Sequence, residues 1–326
     1  MKKLATSGNT QSIQFIQISS TQSSVIKLTY LSEDHVILHS TALWQTDLDI
    51  SFTTTRPCLI LMEAIIKEMG LSWPGFTEPF NAMIQGASRG IGLAITRQLV
   101  EDSTIGHVLA TCRNPNNASE LQSLFELNPR KLTIIGLDVA HEKNIATAAE
   151  LAAHLTSQIR LLINCSGILQ DGILSPEKKI EDVSSDTLQR YFQVNAFGPL
   201  LILKHFKKLL APKDRVLIGN LSARVGSIGD NHLGGWYGYR ASKAAQNMFT
   251  RGIAIEFRRK NPDFICVSLH PGTVKTALSE PFRDRINPAQ LHRPEDAAMC
   301  LLKILSNSKP IDSGEFFAYD GTRIPW

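Results

Sequence analysis

The sequence predicts an α/β fold in which a doubly wound parallel sheet, covered by helices on both faces, follows a separate N-terminal extension. Two observations carry this. From about Asn81 onward, short β-rich apolar runs alternate with amphipathic helical stretches, the pattern of a parallel sheet clad in helices. The glycine-rich turn Gly86-Ala87-Ser88-Arg89-Gly90-Ile91-Gly92 follows the first of those runs and opens the first long amphipathic stretch. Size agrees, since 326 residues suffice for one large α/β domain and an appendage, and 43% hydrophobic with 20% charged residues is globular composition.

Residues 1–80 form the extension. Alternating segments at Ser12–Ile18, Val25–Leu31 and His35–His39 predict strands, and Cys58–Met69 predicts a helix. Leu71–Phe80 carries Pro74, Gly75 and Pro79 and reads as a linker. No catalytic motif lies here, so a β-rich appendage, a partner-binding segment and poorly ordered sequence all stay open. Residues 1–32 lack Asp and Glu, as organellar transit peptides do, but they also lack Arg. A cytoplasmic location is the expectation, with organellar targeting as the alternative.

Residues 81–326 form the main domain. Strands are predicted at Ala82–Gln85, His107–Cys112, Leu132–Leu137, Leu161–Asn164, Arg215–Gly219, Phe264–Leu269 and Glu315–Tyr319. Helices are predicted near 90–102, 117–127, 142–156, 184–210, 239–260 and 294–306. Strict alternation implies right-handed crossovers and an open sheet of the Rossmann type.

Composition excludes several functions. A net charge of +4, from 34 basic and 30 acidic residues, is too small and scattered for a nucleic-acid footprint. The densest basic run, Arg258-Arg259-Lys260, reads as a solvated last helical turn. The five cysteines form no C-x-x-C pair, which argues against zinc or a disulfide scaffold and for a reducing compartment. The histidines share no metal-ligand spacing, so no metal is expected. No apolar run reaches the ~20 residues that span a bilayer, so no membrane helix is expected.

The glycine turn carries chemistry. Glycines at positions 86, 90 and 92 permit a tight turn, close backbone approach to a pyrophosphate, and close packing of helix on strand. The helix N-terminus offers unpaired N–H groups to the anion. After the second strand, Ala110-Thr111-Cys112-Arg113 has no carboxylate for a ribose 2'-hydroxyl. Arg113, with Arg89 in the loop, is placed to meet a 2'-phosphate, so NADP(H) is expected over NAD(H).

The spacing G-x-x-x-G-x-G, the signature Tyr239-Arg240-Ala241-Ser242-Lys243, Asn195, and the loop Pro271-Gly272-Thr273-Val274-Lys275-Thr276 together resemble the short-chain dehydrogenase/reductase family. Gly234–Tyr239 and the ending Tyr319–Trp326 look more narrowly like C-factor proteins and sniffer-type carbonyl reductases. The resemblance implies an NADP-dependent oxidoreductase that moves hydride between nicotinamide and a carbonyl or secondary alcohol. Tyr239 would be the general acid or base, Lys243 would bind the nicotinamide ribose and lower the tyrosine pKa, and Asn195 would hold a water linking Lys243 to solvent. Cofactor contacts are implied at Gly86, Ser88, Arg89, Gly90, Ile91, Gly92, Arg113, the pair Asp138 and Val139, Asn164, Ser166, Gly167, Tyr239, Lys243, Pro271, Gly272, Val274 and Thr276. Asn164-Cys165-Ser166-Gly167 stands where the family has N-N-A-G.

The group that orients the substrate carbonyl is expected at the end of the fifth strand. Ser222 is the candidate, but Ala223 occupies the place where the family's second serine often sits; Ser227, or Tyr239 alone, remain alternatives. Trp236 and Tyr237 either line a substrate pocket or pack the loop, and Ala277–Arg293 reads as a substrate lid. A homodimer or homotetramer with a small-molecule carbonyl or alcohol substrate is implied. A cofactor-binding signalling or scaffold protein, C-factor-like, is the competing function.

Overall fold

The computed structural model describes residues 71–326, except 173, 281–286 and 288–289, together with the backbone of four strands nearer the N-terminus. The chain divides into two compact units, Met1–Gly70 and Leu71–Trp326. In the first, β1 (Ile13–Gln17), β2 (Val25–Ser32), β3 (His35–Thr41) and β4 (Ile50–Phe52) form an antiparallel sheet in sequential order. The alternating segments are therefore strands, and β4 adds one that was not anticipated. The helix expected at Cys58–Met69 lies outside the described residues.

The second unit is built on a seven-stranded parallel sheet. Its strands are β5 (Phe80–Gln85), β6 (Ile105–Cys112), β7 (Leu132–Gly136), β8 (Leu161–Asn164), β9 (Val216–Leu221), β10 (Phe264–His270) and β13 (Phe316–Ala318). The two-residue strands β11 (Thr273–Val274) and β12 (Leu291–His292) pair with each other. All of β8 and β9 is buried, which explains why these strands read as continuous apolar runs rather than as alternating ones.

Helices α1 (Gly90–Glu101), α2 (Ser119–Leu127), α3 (Glu142–Leu155), α4 (Ser185–Phe192), α5 (Gly198–Phe206), α6 (Tyr237–Arg258) and α7 (Pro294–Asn307) cover the sheet. Leu99 of α1, Leu121 of α2 and Leu301 of α7 enter the core on one face. Ile145 of α3, Phe206 of α5 and Ile253 of α6 enter it on the other. Each such side chain contributes roughly 1.5–3 kcal/mol on burial.

Strand order is β13-β10-β9-β8-β5-β6-β7. The chain moves from β5 outward to β7 and then returns to β8 on the opposite side of β5. The order thus reverses between β5 and β8, and a crevice opens beyond the carboxyl ends of these strands.

One expectation needs correction and one needs refining. Leu71–Phe80 is not a free linker but part of the second unit. Trp73 is buried and donates through Nε1 to Asp102 at 2.7 Å, and its ring meets Phe76 and Phe80 edge-on at 6.1 and 5.4 Å. The Arg160 guanidinium lies 4.4 Å over Phe76. Pro and Gly were visible as turn formers, but the aromatics between them are what dock the segment.

The helix expected over 184–210 is continuous but carries a π turn at Gln193–Phe197 between α4 and α5, with helical backbone at each junction. The cause is Pro199, which has no N–H to donate to the carbonyl of Asn195, four residues back. The π turn falls on Asn195 itself.

Candidate active site

The glycine turn is built by close backbone contact. Gly86 and Gly90 sit at φ of 84° and 56°, a region glycine occupies without strain. A Cβ on Gly92 would stand 2.1 Å from the Gly86 carbonyl oxygen, so α1 rests directly on the turn that precedes it. Arg89, the N-cap of α1, makes no side-chain cap bond, which leaves first-turn N–H groups available to an anion.

A groove of about 720 Å³ lies over this turn. Gly86, Ser88, Arg89, Gly90, Ile91, Gly92, Arg113, Asp138, Val139, Ser166, Gly167 and Thr276 all line it. Arg89 and Arg113 are exposed, and neither makes an ion pair or side-chain hydrogen bond among the described residues. Glu120 also lines the groove, at 3.4 Å from Arg97. Bare glycine backbone, an uncapped helix start and two unpaired guanidiniums fit a dinucleotide phosphate.

Asn164 differs from its expected placement. It is buried under the groove, where Nδ2 donates to Asn220 Oδ1 at 2.7 Å. Gln85, which no motif singled out, supports the groove floor instead: its Nε2 donates to Ser166 Oγ, and its Oε1 accepts from Ser166 N. The available signal was a polar residue ending an otherwise apolar strand.

A second cavity, of about 330 Å³, shares Ile91, Cys165, Ser166, Gly167, Thr276 and Leu278 with the groove. Ser222, Tyr239, Lys243, Pro271, Gly272 and Val274 line it, with Leu169, Val225 and Trp236 as apolar walls. Trp236 therefore faces the cavity, whereas Tyr237 does not line it. The Tyr239 ring is buried edge-on between Tyr191 and Trp236, at 6.1 and 6.2 Å. Its hydroxyl has no hydrogen-bond partner among the described residues.

Ser222 Oγ is buried and unpaired, and its main-chain N–H donates to Leu269 O at 2.7 Å. Ser227 is occupied elsewhere: its hydroxyl donates to Pro325 O at 2.5 Å and accepts from Asp230 N at 3.1 Å. It does not line the cavity.

Tyr239 and Lys243 share one face of α6, as their spacing required, and the hydrogen bonds of the ammonium go to other partners. Lys243 Nζ donates to Leu221 O at 2.7 Å and to Gln246 Oε1 at 2.9 Å. Gln246 had no sequence signal beyond its place one turn further along the helix. Burial pushes the Lys243 ammonium down to about 7 and pushes the Tyr239 phenol upward. In the chain alone, burial is what acts on the phenol, and it acts upward.

Asn195 lines neither cavity. Its Oδ1 accepts from Ile168 N at 2.8 Å, and its Nδ2 donates to Ile168 O at 2.9 Å and to Ser242 Oγ at 3.1 Å. The side chain thus clamps the loop after β8 onto α6. Cys165 stands close enough to Lys243 for their charges to interact, and burial pushes its thiol up, away from a reactive thiolate. Among the described residues, no His, Cys, Asp and Glu cluster could hold a metal ion, and no helix is long and apolar enough to cross a membrane.

The doubly wound fold, the glycine groove and the adjoining cavity define a dinucleotide-dependent oxidoreductase. The sequence profile of the short chain dehydrogenase family matches residues 81–287, and the chain belongs to that family. An uncharacterized oxidoreductase of Schizosaccharomyces pombe is 31% identical over 255 residues, covering 74% of this chain and 96% of the relative. The C-signal protein of Myxococcus xanthus is 33% identical over 171 residues, covering 52% and 95%. Among solved structures, NADPH-bound carbonyl reductase from chicken fatty liver superposes with a TM-score of 0.68 at 31% identity, covering 76% of this chain and all (100%) of the other. Carbonyl reductase Sniffer of Drosophila melanogaster gives 0.68 at 27% identity with the same coverage. The protein is an NAD(P)-dependent oxidoreductase with sniffer-like and C-factor-like relatives.

Proposed function

We propose that this chain reduces a carbonyl compound with NADPH, Tyr239 delivering the proton. The observation that carries the reading is the cavity itself, which Tyr239 and Ser222, both with unpartnered hydroxyls, line beside a groove that suits a dinucleotide. When bound, the nicotinamide supplies the hydride.

The residues divide the remaining work. Gly86–Gly92 bind the pyrophosphate through backbone N–H groups, and Arg89 and Arg113 select the 2'-phosphate. Asp138 and Val139 contact the adenine, and Ser166, Gly167, Pro271, Gly272, Val274 and Thr276 hold the nicotinamide half, with Asn164 bracing the strand beneath. Ser222 donates to the substrate carbonyl and orients it against the Tyr239 hydroxyl. Tyr239, whose phenol burial keeps protonated, gives its proton to the oxygen as the alcohol forms. Lys243 leaves its Leu221 and Gln246 partners for the ribose. One acceptor position of Asn195 Oδ1 remains for a water that relays protons to Lys243.

We assign this chemistry to the unit beginning at Leu71 and leave residues 1–70 a separate role. Cys112, Cys165, Cys266 and Cys300 are unpaired, which supports a reducing, cytoplasmic setting. Exposed Phe197, Met248 and Ile255, on and beside the helices carrying Asn195 and Tyr239, support a homo-oligomer through that face.

The experiment is NADPH oxidation by the purified protein against a panel of aldehydes, ketones and quinones. Turnover on a member of the panel is expected. Tight NADPH binding without turnover on any carbonyl would shift the reading to the C-factor-like alternative, a cofactor-sensing partner protein.

A further inference from the structure

A buried carboxylate stands at the start of the helix that carries Tyr239, and the mechanism above does not use it. Glu177 belongs to the loop between β8 and α4 and is 2% exposed. Both carboxylate oxygens accept from the Gly238 N–H, each at 3.3 Å. Gly238 is the second residue of α6, and its N–H is one of the donors that a helix start leaves without an intrahelical partner. The main chain of Glu177 is engaged too, since its carbonyl oxygen accepts from Trp236 N at 2.5 Å. One residue thus holds the backbone on both sides of the first helical position.

What it holds is strained. Trp236, the N-cap of α6, has φ of 52°, and it is the non-glycine residue with positive φ among the described residues. An aromatic side chain disfavours that conformation, which persists only where its surroundings enforce it. Gly234 and Gly235 lead into it with φ of 65° and 64°. A Cβ at Gly238 would stand 2.9 Å from the Glu177 carboxylate and 2.4 Å from the Tyr191 ring, so only glycine lets the carboxylate this close.

The same contacts reach the cavity. Tyr191 donates its hydroxyl to Leu169 O at 2.7 Å and sets its ring edge-on against Tyr239. Trp236, whose backbone Glu177 holds, and Tyr239, next to Gly238, both line the cavity. A carboxyl group is costly to bury, and this one accepts from a single backbone donor. The helix dipole compensates only in part.

We propose that Glu177 is a positioning residue for the reaction, which fixes the angle at which α6 begins and thereby sets Trp236 and the Tyr239 hydroxyl against the substrate. This rests on the reductase reading above. Glu177→Ala removes the acceptor of Gly238 N and leaves the first turn held only by the main-chain bond to Trp236 N. Glu177→Gln keeps an oxygen acceptor for Gly238 N and the same main-chain contact, so it rescues.

Two readouts test this on the full chain. In hydrogen–deuterium exchange, the segment 236–243 of Glu177→Ala should exchange at least about tenfold faster than the parent, with β5, β6 and β8 unchanged and Glu177→Gln close to the parent. In steady-state kinetics on a reduced carbonyl, kcat of Glu177→Ala should fall at least about tenfold while the NADPH dissociation constant stays within about twofold. Parent-like exchange or parent-like kcat in Glu177→Ala overturns the proposal, as does loss of cofactor binding in step with kcat, which marks a general structural role. A Gln variant as impaired as Ala overturns it as well. Exchange needs no turnover, so a parent that reduces nothing while Glu177→Ala loosens 236–243 defeats the reductase reading and leaves the grip on α6 standing.

Discussion

The Lys243 ammonium stands 2.7 Å from the carbonyl oxygen of Leu221, which ties the middle of α6 to the last residue of β9, one position before Ser222. The lysine that would hold the ribose is, in the chain alone, a buried strut between helix and sheet.

That strut makes stability depend on pH. Burial holds Lys243 at about 7, below its ordinary 10.5. Between these values the unfolded chain binds a proton that the folded chain does not, so this group makes stability rise with pH through that window. Below about pH 7 both states are protonated, and the penalty of the buried charge is present in full. Urea unfolding of the cofactor-free protein and of Lys243→Met should diverge between pH 7 and pH 9, the parent gaining roughly 1–2 kcal/mol on the variant. A difference that stays constant across those pH values would show that Lys243 titrates normally.

On the proposed reading, the exposed guanidiniums of Arg89 and Arg113 set cofactor preference. Arg113→Asp places a carboxylate where a ribose 2'-hydroxyl would be welcome and a 2'-phosphate repelled. The ratio of NADPH to NADH affinity should fall by about tenfold to several hundredfold, and Arg89→Ala should lower it less. Titration of each cofactor by fluorescence measures both. An unchanged ratio in Arg113→Asp removes the 2'-phosphate assignment.

The serine question has a clean discriminating pair. Ser222 Oγ is buried, unpaired and at the cavity, whereas Ser227 Oγ is spent on Pro325 O. Ser222→Ala should lower kcat by about a hundredfold to a thousandfold with little loss of stability, the range for removing one donor to a developing oxyanion. Ser227→Ala should cost stability, by about 1 kcal/mol, and leave kcat near the parent. Full turnover in Ser222→Ala with loss in Ser227→Ala would reverse the assignment.

Much of this was legible in the residues. The strands and helices of the main domain lie within a few positions of their predicted bounds because each is a run of apolar residues closed by glycine, proline or a polar turn. The glycine turn was legible for a similar reason: glycine spacing between a strand and a helix leaves few geometries. What stayed hidden depends on contacts between distant segments. Glu177 is a carboxylate in a polar loop, and nothing local distinguishes it from Glu181, yet it meets Gly238 across 61 positions of chain. The π turn at Asn195 follows from Pro199, a residue that helix periodicity alone passes over. Trp73 and Phe76 were masked by the prolines and glycine around them. The direction of the Lys243 ammonium is a matter of rotamer, which spacing along a helix does not determine.

On the proposed mechanism, the pH dependence of turnover follows from the Tyr239 phenol, which burial pushes above its ordinary value of 10.0. Carbonyl reduction, which needs the protonated form, should stay flat between about pH 6 and pH 8, whereas alcohol oxidation should climb with pH as the phenolate becomes accessible. Initial rates in both directions across that range check this. Reduction that falls steeply below pH 8 would assign the proton to another group.

The central claim is that the unpartnered Tyr239 hydroxyl supplies the proton, and kcat of Tyr239→Phe on a carbonyl that the parent reduces tests it most directly. The account predicts a loss of at least about a hundredfold in kcat with the NADPH dissociation constant unchanged, because the ring stays packed between Tyr191 and Trp236 and only the oxygen is removed. A Tyr239→Phe variant that binds NADPH and turns over at the parent rate contradicts it.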